Sequence, residues 1–523
     1  MRSPRLTLAV SIALTLAAAG CAERPSPREN AAPIATAPPP PAAEKQSARK
    51  DQGKLEEIVV TGSRIRRVDW ETAQPVVAIE RGVLAAGGVA QFADNAPVDR
   101  AENTERYQDH ADNPVHRTTE NPVSTFSIDV DTGSYANVRR MLTGGQLPPA
   151  DAVRAEEFLN YFDYAYAPPA TRDTPFRVTT EVAPSPWNRN RQLLLVGLKG
   201  YEVPKSQIPA ANLVFLIDTS GSMDDPAKLP LLKQAFRRMV PNLRAQDRVA
   251  IVVYAGSAGL VLEPTPGDRH ERIDAALDAL AAGGSTNGGA GIALAYRLAR
   301  ENFVKGGVNR VILATDGDFN VGTTDTEALK TLVANERKTG VALTTLGFGA
   351  GNYNDELAEQ LADVGNGNHA YIDTLDEANK VLGEELSATM LTIAKDVKIQ
   401  VEFNPALVAE YRLIGYENRV LRREDFNNDK VDAGEIGAGH DVTALYELAL
   451  VDSGGEASDA LRYGAKPAAA NADARELAFV KLRYKAPDGD TSRLVEYPVL
   501  RESIAARAGE RLRFAAAVAA FAD

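Results

Sequence analysis

Two aspartates and three hydroxyl residues are spaced along the middle of the chain so that each could offer oxygen to a hard cation. They are Asp218, Ser220 and Ser222 in NLVFLIDTSGSM, Thr286 in GGSTNGG, and Asp316 in ATDGD. None of these stretches contains cysteine or histidine. An oxygen-only set suits Mg²⁺, Mn²⁺ or Ca²⁺ and disfavours zinc and copper. Mg²⁺ demands near-octahedral geometry and keeps waters, so such a set leaves a position open for a guest. A carboxylate from a partner protein would fill that position.

Placing these residues together requires strands that end beside one another. Leu213–Ile217 is a continuous apolar run, as expected of a strand buried on both faces of a parallel sheet, and Asp218 sits at its end. Similar runs follow at Val249–Tyr254, Val311–Ala314 and Val341–Phe348. Helical spacing separates them, for example Leu229, Leu232, Phe236 and Val240. Strands alternating with helices predict a doubly wound, mostly parallel α/β sheet, whose ligands bind beyond the carboxyl ends of the strands. Asp218 and Asp316 both fall at such ends, and Gly221 lets the first loop turn tightly.

At these residues the chain resembles the von Willebrand factor type A domains and their metal-ion-dependent adhesion site. The matching pattern is Asp-x-Ser-x-Ser, then a Thr, then an Asp, with intervals of 64 residues from Ser222 to Thr286 and 30 from Thr286 to Asp316. The resemblance implies that Ser220, Ser222 and Thr286 touch the metal directly, with Asp218 and Asp316 acting through water. It also implies a Rossmann-like fold over 206–385. Together with a flanking N-terminal α+β segment at 121–205 and a small β-rich C-terminal domain at 386–523, the chain is similar to one family of bacterial von Willebrand A lipoproteins. That family continues beyond the last residue here, so a truncated product is expected.

Rival chemistries fail on their own requirements. A haloacid-dehalogenase-type phosphatase needs a second Asp two residues after the nucleophile, where this chain has Ser220. Neither Ser220 nor Ser222 lies in the GxSxG of a hydrolase. Gly347-Phe348-Gly349-Ala350-Gly351 falls short of a dinucleotide fingerprint and more simply ends a strand before a helix at Asn354–Val364. Asp131-Thr132-Gly133-Ser134 matches half of an aspartic protease, but no second Asp-Thr-Gly occurs. Asp131 or Thr132 is expected to cap a helix instead. Asp425–Asp429 is similar to the start of an EF-hand loop, yet its sixth position is Lys430 and its twelfth Ile436. His369 and His440 stand alone and read as structural or solvated. No enzymatic activity is expected.

The flanks carry their own patterns. Glu156, Glu157, Phe158, Tyr161 and Phe162 predict an amphipathic helix on the next domain. Val397, Ile399, Val401 and Phe403 alternate with polar residues, which predicts a strand with one wet face, and Val480, Leu482 and Tyr484 repeat the pattern. Phe514, Val518 and Phe521 begin a C-terminal helix.

The length of 523 residues predicts about three folded units. A net charge of −13 argues against a nucleic-acid binder, and a single cysteine excludes a disulfide framework. That cysteine has an explanation. Arg2 and Arg5, an apolar run over Leu6–Ala19 and then Gly20-Cys21 make a signal peptide over 1–20. Ala18-Ala19-Gly20-Cys21 resembles a bacterial lipobox, which implies lipidation of Cys21, although Ala18 stands where Leu is usual. Ala22 after it suggests the outer membrane of a Gram-negative envelope, facing the periplasm. Residues 21–54, rich in Pro and Ala, form a stiff spacer. Within 55–120, LEEIVVTGSRIRR at Leu55–Arg67 resembles the N-termini of TonB-dependent receptors. Strand addition to a TonB-like partner is one reading of it; a spacer with one short strand at Ile58–Thr61 is preferred. The expectation is a lipid-anchored protein that grips an acidic group of a protein partner through Mg²⁺ (or Mn²⁺ or Ca²⁺). The alternatives are a structural envelope scaffold without a metal-bridged partner and a Mg²⁺-dependent phosphatase.

Overall fold

The apolar run before Asp218 becomes the strand Ala211–Asp218, buried along its whole length. In the computed structural model the described residues are 104–255, 257–284, 288–317, 326–385, 390–459 and 475–523. Cys21, Ile58–Thr61 and Thr286 lie outside them. Arg248–Tyr254 and Val308–Thr315 pair in parallel with the two sides of Ala211–Asp218. Ala342–Phe348 and His369–Ile372 continue the parallel set, and Ala258–Pro266 closes the opposite edge antiparallel.

Alternate residues of the central strand feed two cores, as a period of two requires. Leu213, Phe215 and Ile217 pack with Leu232, Phe236 and Met239 of the helix Leu229–Met239. Val214 and Leu216 pack with Ile292, Leu329 and Leu361 from helices on the other face. This is the expected doubly wound sheet with helices on both sides. The chain passes from Ala211–Asp218 to its neighbour on one side and later returns to the other, so the strand order reverses there. A crevice opens where the order reverses, outside the carboxyl ends of the strands.

The flanks at 121–205 and 386–523 do not fold apart from one another; they share two sheets. One has the order His116–Arg117, Val408–Ile414, Asp441–Leu450, Arg191–Gly200, Phe176–Pro184. In the other, Thr392–Phe403 pairs with Glu476–Lys485 on one side and with Val123–Ser127 on the other. Leu194, Val196 and Leu198 alternate along their strand into the core between the sheets, where they join Phe126, Ile399 and Val480. The doubly wound domain leaves this sandwich after Gly200 and returns to it at Thr392.

Several expectations are corrected here. Thr392–Phe403 has no wet face over most of its length. Lys398 and Gln400 are buried and partnered: the 425–428 segment covers Lys398, whose Nζ donates to Asp425 O at 3.2 Å and to Asn428 O at 2.6 Å, and Gln400 Nε2 donates to Thr125 Oγ1 at 3.0 Å. Glu476–Lys485 does keep the half-wet alternation. Thr132 precedes the helix Gly133–Thr143, but its side chain makes no cap hydrogen bond. Glu157 serves that end of the helix, accepting from the Ser134 amide at 2.8 Å, while Asp131 accepts from the His369 amide at 2.8 Å. Glu156 and Glu157 are therefore buried rather than on a wet helix face. In the C-terminal helix Glu510–Ala522, Val518 is buried with Leu512 and Ala515, whereas Phe514 and Phe521 stay exposed.

A buried charge network joins the domain to the sandwich. Arg154 pairs with Glu157, with Asp355 at 2.5 Å and with Glu359 at 3.6 Å. Arg419 reaches Glu359 at 3.3 Å, Asp129 at 3.5 Å and Asp131 at 3.6 Å. His369 bonds to Thr345 at 3.0 Å, Tyr353 at 2.9 Å and Asp355 at 3.3 Å, so it is structural, as expected.

This network gives stability a direction with pH. Burial, then the charges of Glu417 and Asp129, push the Glu156 carboxyl up to about 8 against the amide bond from Tyr416. Burial likewise raises Glu359 to about 7. A group raised on folding gives stability that is complete below its unfolded pKa and lost as pH rises through the folded one. The chain is expected to unfold at lower urea near pH ~8 than near pH ~5. Glu156→Gln should flatten that slope, and an unchanged slope would refute the assignment.

Candidate functional site

The loop after Ala211–Asp218 is held by its own backbone. Asp218 Oδ1 accepts from the Ser220 amide at 2.8 Å, and Thr315 Oγ1 donates to Oδ2 at 3.4 Å. The Gly221 amide donates to Gly284 O at 3.1 Å, and the Gly283 amide to Thr219 O at 2.8 Å. The segment that leads into Thr286 is thereby drawn alongside the DTSGS loop.

Four of the five expected residues come together. Ser220 Oγ and Ser222 Oγ are 3.1 Å apart, and Ser222 also hydrogen bonds to Asp316. Both carboxylates are fully buried, whereas Ser222 is exposed at the mouth. Burial, with Asp316 nearby, pushes the Asp218 carboxyl up to about 6 against the hydrogen bonds from Ser220. Asp316 goes the other way. Its burial is outweighed by hydrogen bonds from Ser222, Lys228 and Asn352 and by the Lys228 charge, which hold it below the usual carboxylate range.

Sequence reasoning missed the residues that hold the two carboxylates, Thr315 and Tyr254 at Asp218 and Lys228 and Asn352 at Asp316. Lys228 Nζ lies 2.9 Å from Asp316 Oδ2 and 2.8 Å from Asn352 Oδ1, and Asn352 Nδ2 donates to the same Asp316 oxygen at 3.1 Å. In DDPAKLP a lysine reads as solvent-facing, and only the glycines at 349 and 351 hint at something passing close to the backbone.

The donors fit a hard divalent cation: hydroxyls and carboxylates converge, and the Asp218 carboxylate, at 0% exposure, is raised chiefly by burial, which a bound cation would offset. Among the described residues no group of three or more His, Cys, Asp or Glu could hold a metal, so any metal here would depend on the hydroxyls. A cavity of about 510 Å³ lies elsewhere, between the flanks and the domain. Its Arg139 and Lys199 are already paired, with Glu377 and Asp441 at 2.8 Å each. Among the described residues no helix is long and apolar enough to cross a membrane.

Comparison with known proteins places the fold in a family. The von Willebrand factor type A domain family matches residues 212–384, a von Willebrand factor family matches 101–195, and the YfbK C-terminal family matches 388–523. The chain is 52% identical over 426 residues to the uncharacterized protein YfbK of Escherichia coli K12, covering 80% of this chain and 73% of that one. The chain belongs to the YfbK-like family of von Willebrand factor A proteins. More distant members of the wider group include human inter-alpha-trypsin inhibitor heavy chain H3, 28% identical over 45% of this chain and 28% of its own. A von Willebrand factor type A structure from Catenulispora acidiphila is 17% identical, with a TM-score of 0.39, over 65% of this chain and 78% of that one.

Proposed function

We propose that the chain is an envelope protein, lipid-anchored through Cys21, that binds a protein partner through a divalent cation held by Asp218, Ser220, Ser222, Thr286 and Asp316. Von Willebrand A domains mediate protein interactions. The observation that carries the reading is the convergence of Ser220 and Ser222 on two fully buried carboxylates. Bound Mg²⁺ would supply a Lewis-acidic position for an acidic group of the partner. The protein's own part is to fix the donors, with the Ser220 amide orienting Asp218 and Ser222 bonded to Asp316.

One observation favours the scaffold reading instead. The Lys228 ammonium already neutralises Asp316, so the centre has a cation of its own. Thermal unfolding separates the two. Mg²⁺ or Mn²⁺ at ~100 times its Kd should add about 2.7 kcal/mol over unfolding in EDTA, a rise of roughly 5–10 °C for a domain of this size. Asp218→Ala should abolish that rise. Equal midpoints with and without millimolar metal in the wild type would favour the scaffold.

A further inference from the structure

We infer that Lys228 is a resident counter-cation of the Asp218–Asp316 centre, one that weakens its hold on a divalent metal and biases the loaded centre toward an anion. The inference rests on the cation-binding reading above. Lys228 is 6% exposed and immediately precedes the helix Leu229–Met239. Its ammonium is fixed between Asp316 Oδ2 at 2.9 Å and Asn352 Oδ1 at 2.8 Å.

The position is built rather than incidental. The lysine stem crosses Gly349, whose φ is +77°, and a Cβ there would collide with Lys228 Cγ and Cε. The loop carrying Gly349 and Asn352 is itself clamped: Thr104 N donates to Gly351 O at 2.8 Å, and the Gly351 amide to Glu105 Oε1 at 2.8 Å. The ammonium cannot swing away without breaking its bonds to Asp316 and Asn352, and the loop that carries Asn352 is held in place by these clamps.

Charge decides the consequence. Two buried carboxylates against one ammonium leave one net negative charge, and a divalent ion turns that into one net positive charge. Without the lysine, the loaded centre would be neutral. In a poorly screened site the ammonium repels the incoming metal, and the same field attracts an anion once the metal is bound. Metal and carboxylate should then bind cooperatively, each strengthening the other by the same factor.

The test is calorimetric titration of the full chain with Mg²⁺, with and without acetate as the carboxylate probe. Lys228→Gln, which keeps a hydrogen-bond donor, should bind Mg²⁺ roughly tenfold more tightly than wild type. Lys228→Met, which keeps the stem volume, should do the same and is read if the glutamine variant fails to fold. Asn352→Ala keeps the ammonium and should not tighten binding. Acetate should strengthen Mg²⁺ binding more in wild type than in either lysine variant. Binding that fails to tighten in folded Lys228 variants overturns this inference alone. No Mg²⁺ binding by folded wild type or variants overturns the cation-binding reading as well.

Discussion

Arg154→Met is expected to destabilise the chain by about 3–5 kcal/mol, the usual cost of removing one partner from a buried ion pair. The Arg154 side chain is 2% exposed and meets three carboxylates, Glu157, Asp355 and Glu359, each at 1% exposure or less. Taking the guanidinium away leaves three crowded acids short of one buried positive charge, with Arg419 still 3.3 Å from Glu359. Arg154 also spans the seam, since Glu157 is on its own segment while Asp355 and Glu359 belong to the doubly wound domain. Urea denaturation followed by circular dichroism measures the loss. A change below ~1 kcal/mol would mean that protonation of the acids compensates, contrary to the expectation.

Gly317→Ala is expected to cost about 2–5 kcal/mol, combining backbone strain with overpacking. Gly317 has a φ of +85°, and a Cβ there would collide with the Asn354 amide nitrogen and crowd Tyr353. The residue directly follows Asp316, so relieving the clash must shift the Asp316 turn or the 353–354 backbone. The variant should therefore lose both unfolding free energy and any metal-induced rise in midpoint. Full stability with an intact metal response would show that the turn can flip at no cost.

The alternation of apolar runs and helical spacing makes the doubly wound sheet legible, because strands buried on both faces have few other uses. Asp218, Ser220, Ser222 and Asp316 are legible for the same reason: each sits at or just beyond a strand end. Lys228 and Asn352 are not, since a lysine is buried only when a distant carboxylate receives it, and Asp316 is 88 positions away. The burial of Glu156 is equally hidden, because its partner comes from another segment, the Tyr416 amide 260 positions away. Local periodicity records which side chains are apolar. It does not record which polar ones will find partners.

The pairing of Thr104 and Arg106 with the 351–354 loop has a mechanical consequence. Arg106 N donates to Tyr353 O at 2.9 Å, and the Asp355 amide donates to Arg106 O at 3.0 Å, in parallel register with Asn354. Tension applied at Thr104 would therefore pass into the loop that presents Asn352. A pull along this short ribbon loads its hydrogen bonds together in shear, and their rupture would release the support beneath Asn352 and Lys228. The backbone that pairs with Thr104 and Arg106 and the loop that holds Asn352 against Lys228 and Asp316 are one piece of chain.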